Sequence, residues 1–188
     1  MTKIELKYYD QKALWKKYDN IQEMKRAKEV INLIPDDVKF VLDIGCGNGI
    51  VTNIIQKPFV VGLDFTRTPL AQVKTHKIQA SIDKLPIKSG KFNLIVLTEV
   101  LEHLDDGTYI KAIREISRLK SKYLLITVPF KENIELELSK CSFCGEIFNA
   151  VHHYRKFDNF SLIKEFLEYK LEKRRYASYR IPPNEKIA

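Results

Sequence analysis

A glycine-rich segment with an aspartate two residues before it is the part of the sequence best suited to hold a ligand. Asp43 ends a short apolar run, and Gly45, Gly47 and Gly49 follow it. Glycines allow a tight turn and let a ligand approach the backbone closely, and the start of a following helix offers unpaired N–H groups. The spacing is GxGxG, and a carboxylate at this place would repel a pyrophosphate. The segment therefore favours a ligand that carries a positive centre.

Two further aspartates indicate the rest of that ligand. Asp64 ends a second apolar run, 19 residues after Gly45, where an acidic side chain is placed to accept both hydroxyls of a ribose. Asp83 follows a third run and suits a loop that receives an adenine amino group. A nucleoside whose tail carries an α-ammonium and a sulfonium fits all three positions. The sequence thus predicts S-adenosylmethionine as the ligand.

The elements that must position these residues alternate between strands and helices. Five apolar runs predict buried strands, at residues 40–45, 59–64, 77–82, 92–97 and 123–128. Helical patterns are predicted at residues 5–34, 49–56, 66–74, 105–119 and 158–169, and one more strand at 171–179. Strands that are nearly all apolar belong to a parallel sheet covered on both faces. The expected fold class is α/β, a doubly wound, mainly parallel sheet flanked by helices.

The chain is expected to form one domain of 188 residues. Residues 1–37 would be an N-terminal helical cap and residues 38–130 the cofactor-binding core. Residues 131–157 would be an insert that carries cysteine and histidine, and residues 158–188 would add a helix, a strand and a tail.

The core motifs resemble those of class I S-adenosylmethionine-dependent methyltransferases. VLDIGCGNG (Val41–Gly49) resembles their first motif and GLDFT (Gly62–Thr66) their second. SIDKLPIKSGKFNLIVLTEVLEHL (Ser81–Leu104) resembles the third and fourth. The resemblance covers residues 38–129. It implies a Rossmann-like methyltransferase fold and methyl transfer from S-adenosylmethionine.

The resemblance also implies which residues hold the cofactor. They are Asp43, Gly45, Cys46, Gly47, Asp64, Phe65, Asp83, Lys84 and Thr98. Asp43 and the glycines would line the methionine part, with Cys46 packed behind. Asp64 would hold the ribose, Phe65 would flank the adenine, and Asp83 with the backbone near Lys84 would contact the adenine edge. Thr98 would face the methyl group or the acceptor.

Glu99, Glu102 and His103 form an ExxEH motif directly after the fourth predicted strand. If helical, the three side chains share one face. Glu99 and His103 are the predicted catalytic residues. The motif is common in small-molecule methyltransferases of this class. It also resembles that of small-RNA 3′-terminal 2′-O-methyltransferases, which hold Mg²⁺ with two glutamates, a histidine and a later histidine, here His152 or His153. Mg²⁺ prefers oxygen ligands, so both interpretations stay open.

A zinc site is predicted in the insert. Cys141-x-x-Cys144-Gly is typical of half a zinc knuckle, and His153 follows nine residues after Cys144. The stretch CxxCG…HxRxF resembles an insert of some bacterial and archaeal methyltransferases. The expected metal ligands are Cys141, Cys144 and His153, and zinc would fix a loop that covers the substrate. The alternative is a reduced surface loop.

The positive charge of the chain lies mostly outside the cofactor motifs, so it gives information about the acceptor more than about the cofactor. The chain carries a net charge of +8, and residues 111–131 and 151–188 hold most of the excess. Basic runs of this kind suit an anionic acceptor such as RNA, or form a solvated surface. No apolar run approaches the roughly 20 residues of a membrane span, and the first residues lack an apolar signal block. With three cysteines, a cytoplasmic protein is expected.

Three functions follow from these observations. The first is methyl transfer to a small-molecule acceptor, and the second is methylation of RNA through the ExxEH and histidine residues. The third is a cofactor-binding or zinc-stabilised accessory module without activity of its own. The motifs do not define the acceptor atom or the oligomeric state.

Overall fold

The computed structural model describes residues 7–16, 21–140, 142–145, 147–158 and 160–173. Five parallel strands form the central sheet: β1 (Phe40–Ile44), β2 (Phe59–Asp64), β3 (His76–Gln79), β4 (Leu94–Thr98) and β5 (Tyr123–Thr127). The helices are α1 (Lys12–Lys16), α2 (Ile21–Ile31), α3 (Arg67–Leu70), α4 (Asp106–Leu119) and α5 (Ser161–Glu165). A separate antiparallel hairpin joins β6 (Leu138–Lys140) to β7 (Ile147–Asn149).

The strand order is β3-β2-β1-β4-β5, which is the order of a doubly wound sheet. The direction in which successive strands are added to the sheet reverses at β1, because β2 lies on one side of β1 and β4 on the other. Parallel strands end at the same edge of a sheet, so Ile44, Asp64 and Thr98 lie at one edge. The predicted fold class is confirmed, and the crevice beyond that edge is where such sheets bind ligands.

Two apolar clusters cover the two faces of the sheet. Alternate residues of the strands point to opposite faces, so Val41, Val60 and Val96 pack on one side with Ala27 and Val30 of α2. The other face packs against α4 through the residues Leu42, Ile44, Leu63, Ile95, Leu97, Ala112 and Ile116. Burial of both faces explains why β1, β2, β4 and β5 are almost continuously apolar, whereas the edge strand β3 is largely exposed and polar.

Helix α4 begins at a capping aspartate, Asp105. The Asp105 carboxylate accepts hydrogen bonds from the Thr108 N–H at 3.0 Å and from Thr108 Oγ1 at 2.7 Å. These bonds satisfy a donor that the first helical turn leaves unpaired, and such a cap contributes about 1 kcal/mol. The cap therefore fixes where the chain turns from the ExxEH segment into the helix.

Several predicted boundaries were wrong. The helix predicted over residues 5–34 is interrupted at residues 10–11, and α2 ends at Ile31. The helix expected at residues 49–56 is only a 3₁₀ turn, Thr52–Ile54. That segment is rich in β-branched residues, which lose side-chain freedom in a helix. The hairpin of β6 and β7 was not predicted. Residues 171–173 form no strand, and the rest of the strand predicted at 171–179 lies outside the described residues.

Candidate active site

The glycine segment forms a tight loop between β1 and the 3₁₀ turn. Gly45 and Gly47 have φ angles of +72° and +51°, in the region that side chains rarely adopt. A Cβ on Gly45 would lie 2.5 Å from Val100 Cγ2, and one on Gly47 would lie 2.4 Å from the Trp15 ring. Both glycines are thus required by backbone conformation and by close packing, as expected for a tight turn.

Asp64 ties this loop to the end of β2. Its Oδ2 accepts the Gly47 N–H at 2.8 Å, and its Oδ1 accepts the Thr66 N–H at 2.8 Å and Thr66 Oγ1 at 2.6 Å. The Leu63 carbonyl adds bonds from the N–H groups of Gly45 and Cys46. The carboxylate is buried, and burial raises its pKa despite these donors. Asp64 therefore shapes the loop in addition to facing the crevice.

Asp43 lies below the loop as a buried carboxyl with one unpaired oxygen. Thr52 Oγ1 donates to its Oδ2 at 2.6 Å, whereas Oδ1 has no hydrogen-bond partner among the described residues. Burial, with a smaller contribution from the charge of Asp64, raises the pKa of Asp43 to about 7. An unpaired buried acceptor costs free energy unless a donor reaches it. Because the Asp43 side chain is fully buried, this oxygen lies behind the loop and not on the open surface of the crevice.

A cavity of about 390 Å³ opens over the loop, a volume within the range of small-molecule sites. It brings together the predicted residues Gly45, Cys46, Gly47, Asp64, Phe65, Thr98, Glu99, His103 and His153. Three other predicted residues do not line the cavity: Asp43 is fully buried behind the loop, and Asp83 and Lys84 lie outside it. The preceding residues Ala80, Ser81 and Ile82 form that wall. The contact with the adenine edge that was predicted for Asp83 and Lys84 stays a prediction.

The N-terminal residues 7–16, called here the N-terminal strap, form a wall of the cavity. The Trp15 ring packs against Gly47, and its Nε1 donates to the Tyr9 carbonyl at 2.6 Å. Tyr9 Oη lies 3.1 Å from His103 Nδ1, and its ring meets Phe65 edge-on at 5.7 Å between centroids. The strap thus joins the glycine loop to the ExxEH segment.

Glu99 stands at the end of β4 in a strained conformation. Its φ angle is +54°, which is uncommon for a residue with a side chain. Thr127 Oγ1 donates to Glu99 Oε1 at 2.8 Å, and Glu99 Oε2 lies 3.2 Å from Arg26 Nη1 of α2. Strain of this kind persists only where surrounding contacts hold it, and it is frequent at functional sites.

Glu102, His103 and His153 converge at the same end of the cavity. Their ligand atoms lie within 4.8 Å of one another. Glu102 is fully buried, and neither of its oxygens has a hydrogen-bond partner within the described part of the chain. Burial and the charge of Glu99 raise its pKa well above the usual range, whereas burial and the nearby His153 lower the pKa of His103 to about 4. At neutral pH His103 is therefore an uncharged imidazole.

Among the described residues, no cluster of metal-binding side chains joins Cys144 to His153. Cys141 lies outside the described residues, and Cys144 is an exposed free thiol on the hairpin turn. His153 instead contacts Glu132, with Nδ1 and Oε2 2.5 Å apart, and its ring meets that of His103 at 4.7 Å. Zinc at Cys141, Cys144 and His153 stays a prediction that these contacts do not support.

Part of the predicted basic surface serves the fold. Arg118 pairs with Glu115 at 2.8 Å and donates to the carbonyls of Leu85 and Ile87. Lys122 pairs with Asp37 at 2.5 Å. These cations hold loops in place, which weakens the case for a continuous nucleic-acid surface on and after α4. Within the described residues no helix is long and apolar enough to cross a membrane.

Comparison with known proteins gives one matching family model, described as a methyltransferase domain, over residues 42–123. A ubiquinone biosynthesis O-methyltransferase of Nitrosococcus oceani is 29% identical over 110 residues, covering 52% of this chain and 46% of that protein. An uncharacterised protein of Methanocaldococcus jannaschii is 36% identical over 120 residues, covering 62% and 48%. The chain thus spans about half the length of the curated relatives it matches.

Solved structures share the fold at low sequence identity. A methyltransferase of Thermotoga maritima that depends on S-adenosylmethionine superposes with a TM-score of 0.66 at 15% identity, covering 86% of this chain and 77% of that one. The methyltransferase domain of bacterial CtHen1-C gives 0.61 at 17%, covering 78% and 84%. Residues 42–123 thus match the model of a methyltransferase domain, and the sheet around them has the Rossmann-like fold of these solved structures.

Proposed function

We propose that the chain is an S-adenosylmethionine-dependent methyltransferase that acts on a small-molecule acceptor. The observation that carries this proposal is the tight glycine loop on the cavity wall, where Gly45 and Gly47 leave no room for side chains and Asp64 lies beside them. The loop and Asp64 belong to a matched methyltransferase domain. The residues therefore fit a nucleoside with a cationic tail.

When bound, the cofactor supplies a methyl group on a sulfonium, which is already a good leaving group. The residues of the cavity then have mainly to align the acceptor atom with the methyl group, and acid–base catalysis is a smaller contribution. The glycine loop and Asp64 hold one partner, and the opposite end of the cavity, with Glu99 and His103, receives the acceptor. With a pKa lowered to about 4, His103 is unprotonated at neutral pH and is able to accept a proton from an acceptor hydroxyl or amine.

Binding of S-adenosylhomocysteine, the demethylated product, tests the proposal directly. Trp15 is the only tryptophan of the chain and packs on Gly47. We therefore expect its fluorescence to change in a saturable way with the same Kd that calorimetry gives. Adenosine triphosphate, which shares the adenosine but carries phosphates in place of a cationic tail, is the matched control and should leave the signal unchanged. Absence of a calorimetric signal with S-adenosylhomocysteine would refute the proposal, and an acceptor screen separates an enzyme from a binding module.

A second candidate function is metal-assisted methylation of a hydroxyl-bearing acceptor such as the terminal ribose of RNA. The specific observation in its favour is the convergence of Glu102, His103 and His153. His103 Nδ1 lies 3.2 Å from the His152 carbonyl, which only accepts, so Nδ1 carries the proton and Nε2 keeps its lone pair. Glu132 Oε2 likewise accepts a hydrogen bond from Nδ1 of His153, so Nε2 of His153 also keeps its lone pair. Such outer contacts orient histidines toward a metal.

Titration with divalent cations tests this candidate. Two imidazoles and one carboxylate favour Mn²⁺, Co²⁺ or Zn²⁺ over Mg²⁺. We expect one ion per chain, with binding abolished in Glu102→Gln and weakened about 10- to 100-fold in Glu132→Gln, which alters only the outer contact. Cys144→Ser, on the exposed turn, is the control and should bind as the wild type does. Equal binding by wild type and Glu102→Gln would exclude this site.

A further inference from the structure

A row of exposed aromatic rings lies at the edge of the sheet opposite the cavity. Parallel strands begin at one edge, and β1, β2 and β3 begin with Phe40, Phe59 and His76. The centroid of the Phe59 ring lies 4.7 Å from that of His76 and 6.0 Å from that of Phe40. Phe40 and Phe59 are 44% and 36% exposed. Strand β2 reaches Asp64 about 16 Å further on, so the rings stand apart from the cavity.

The rings are exposed because no helix covers them. Phe40 and Phe59 lie two residues before Leu42 and Val61, so they continue the face of the sheet that packs against α4. The chain between β3 and β4, residues 80–93, passes this face in turns without forming a helix. Its Phe92 ring lies 6.4 Å from that of Phe59, at an interplanar angle of 29°. Exposed apolar rings grouped in this way mark an interaction surface.

Lysines surround the aromatic row. The segments that enter the first four strands carry six of them: Lys39, Lys57, Lys74, Lys77, Lys88 and Lys91. Lys57 and Lys77 donate to backbone carbonyls. The other four form no side-chain hydrogen bond or ion pair within the described part of the chain. The same segments hold two aspartates, Asp36 and Asp37, and Asp37 already pairs with Lys122. The edge therefore carries uncompensated positive charge.

Backbone contacts fix the rings and the lysines relative to one another. Asn93 Oδ1 accepts the N–H groups of Lys39 at 3.1 Å and of Phe40 at 3.0 Å. The Phe59 N–H donates to the Lys39 carbonyl at 3.0 Å. The turn that carries Lys91 thus lies directly beside the first residues of β1 and β2. Rings and cations are presented together on rigid elements of the fold.

We propose that this edge binds single-stranded nucleic acid, with bases stacked on Phe40 and Phe59 and phosphates paired with Lys39 and Lys91. A nucleotide joins a flat apolar base to a phosphate, and proteins bind single strands by combining aromatic rings with cations. Acidic peptides and anionic lipids would match the lysines but leave the rings without flat partners. The inference goes beyond the proposed function and does not depend on it, because this edge lies outside the cavity.

Fluorescence anisotropy with a labelled single-stranded RNA of about 12 nucleotides tests the proposal. We expect saturable binding at low salt, weakened about 5- to 50-fold in Phe40→Leu and in Phe59→Leu, which keep an apolar side chain but lose the ring. The double variant Lys39→Gln/Lys91→Gln should reduce the slope of log K against log salt concentration by about 1.4, since each phosphate contact contributes about 0.7. Lys25→Gln/Lys111→Gln removes the same charge from exposed positions on α2 and α4 and should keep the wild-type slope.

An abasic ribose-phosphate strand of the same length separates stacking from charge alone, and we expect it to bind at least about fivefold more weakly than the RNA. Equal binding of the two strands, or unchanged RNA affinity in both phenylalanine variants, would show a general anionic surface and overturn the proposal. So would absence of RNA binding, or a preference for phosphatidylserine vesicles over RNA. Thermal unfolding reports whether each variant is folded. Should Phe59→Leu unfold, Phe40→Leu and the abasic strand still decide.

Discussion

Replacing Asp64 with alanine is expected to weaken binding of S-adenosylhomocysteine by at least about 100-fold. The substitution removes the acceptor predicted for the ribose hydroxyls. It also removes the bonds to the Gly47 N–H and to Thr66, leaving buried donors unpaired at about 1–3 kcal/mol each. The loop loses its tie to β2 at the same time. Calorimetry gives the affinity, and thermal unfolding reports the expected loss of stability.

The two consequences of the Asp64 change are separated by matched variants. Asp64→Asn keeps one carbonyl oxygen as an acceptor, so its stability should lie between those of wild type and alanine variant. Asp37→Ala removes an exposed carboxylate that pairs with Lys122 and should leave binding unchanged. A folded Asp64→Ala protein with wild-type affinity would show that Asp64 only shapes the loop.

Gly45→Ala is expected to abolish binding of S-adenosylhomocysteine and to destabilise the fold by about 2–4 kcal/mol. About 1 kcal/mol follows from placing a side chain at φ +72°. The larger part comes from the contact of 2.5 Å with Val100 Cγ2, because inserting a methyl group into a packed site typically costs about 1–3 kcal/mol. Relief of that contact must displace either the loop or the ExxEH segment, and both line the cavity.

Gly90 provides the control for this prediction. Its φ angle of +71° matches that of Gly45, but a Cβ there would meet nothing within 4 Å. Gly90→Ala should therefore lower the free energy of unfolding by only about 1 kcal/mol, the contribution of the backbone conformation, and the variant should bind S-adenosylhomocysteine as the wild type does. Denaturant unfolding measures both variants. Equal losses of stability in the two would show that close packing around Gly45 contributes nothing.

The sequence predicted the strands well and the helices less well. Runs such as Phe59–Asp64 are apolar without interruption because both faces of the sheet are covered, and that signal does not depend on distant contacts. The helix predicted after the glycine loop is only a 3₁₀ turn in the structure. Its helical pattern is weak, and its β-branched residues pack against α2 in this shorter form. The hairpin of β6 and β7 was missed because its strands have three residues each and expose their side chains.

The sequence by itself determined the fold class and the residues of the glycine loop, Asp43 and Asp64, because these depend on local backbone geometry and on order along the chain. Only the tertiary structure decided which distant side chains join them. Trp15 covers Gly47, Arg26 reaches Glu99, and His153 meets His103 instead of Cys144, through contacts between residues far apart in sequence. No periodicity or spacing encodes such contacts. They arise when the strap, α2 and the residues after β7 pack around the open edge of the sheet.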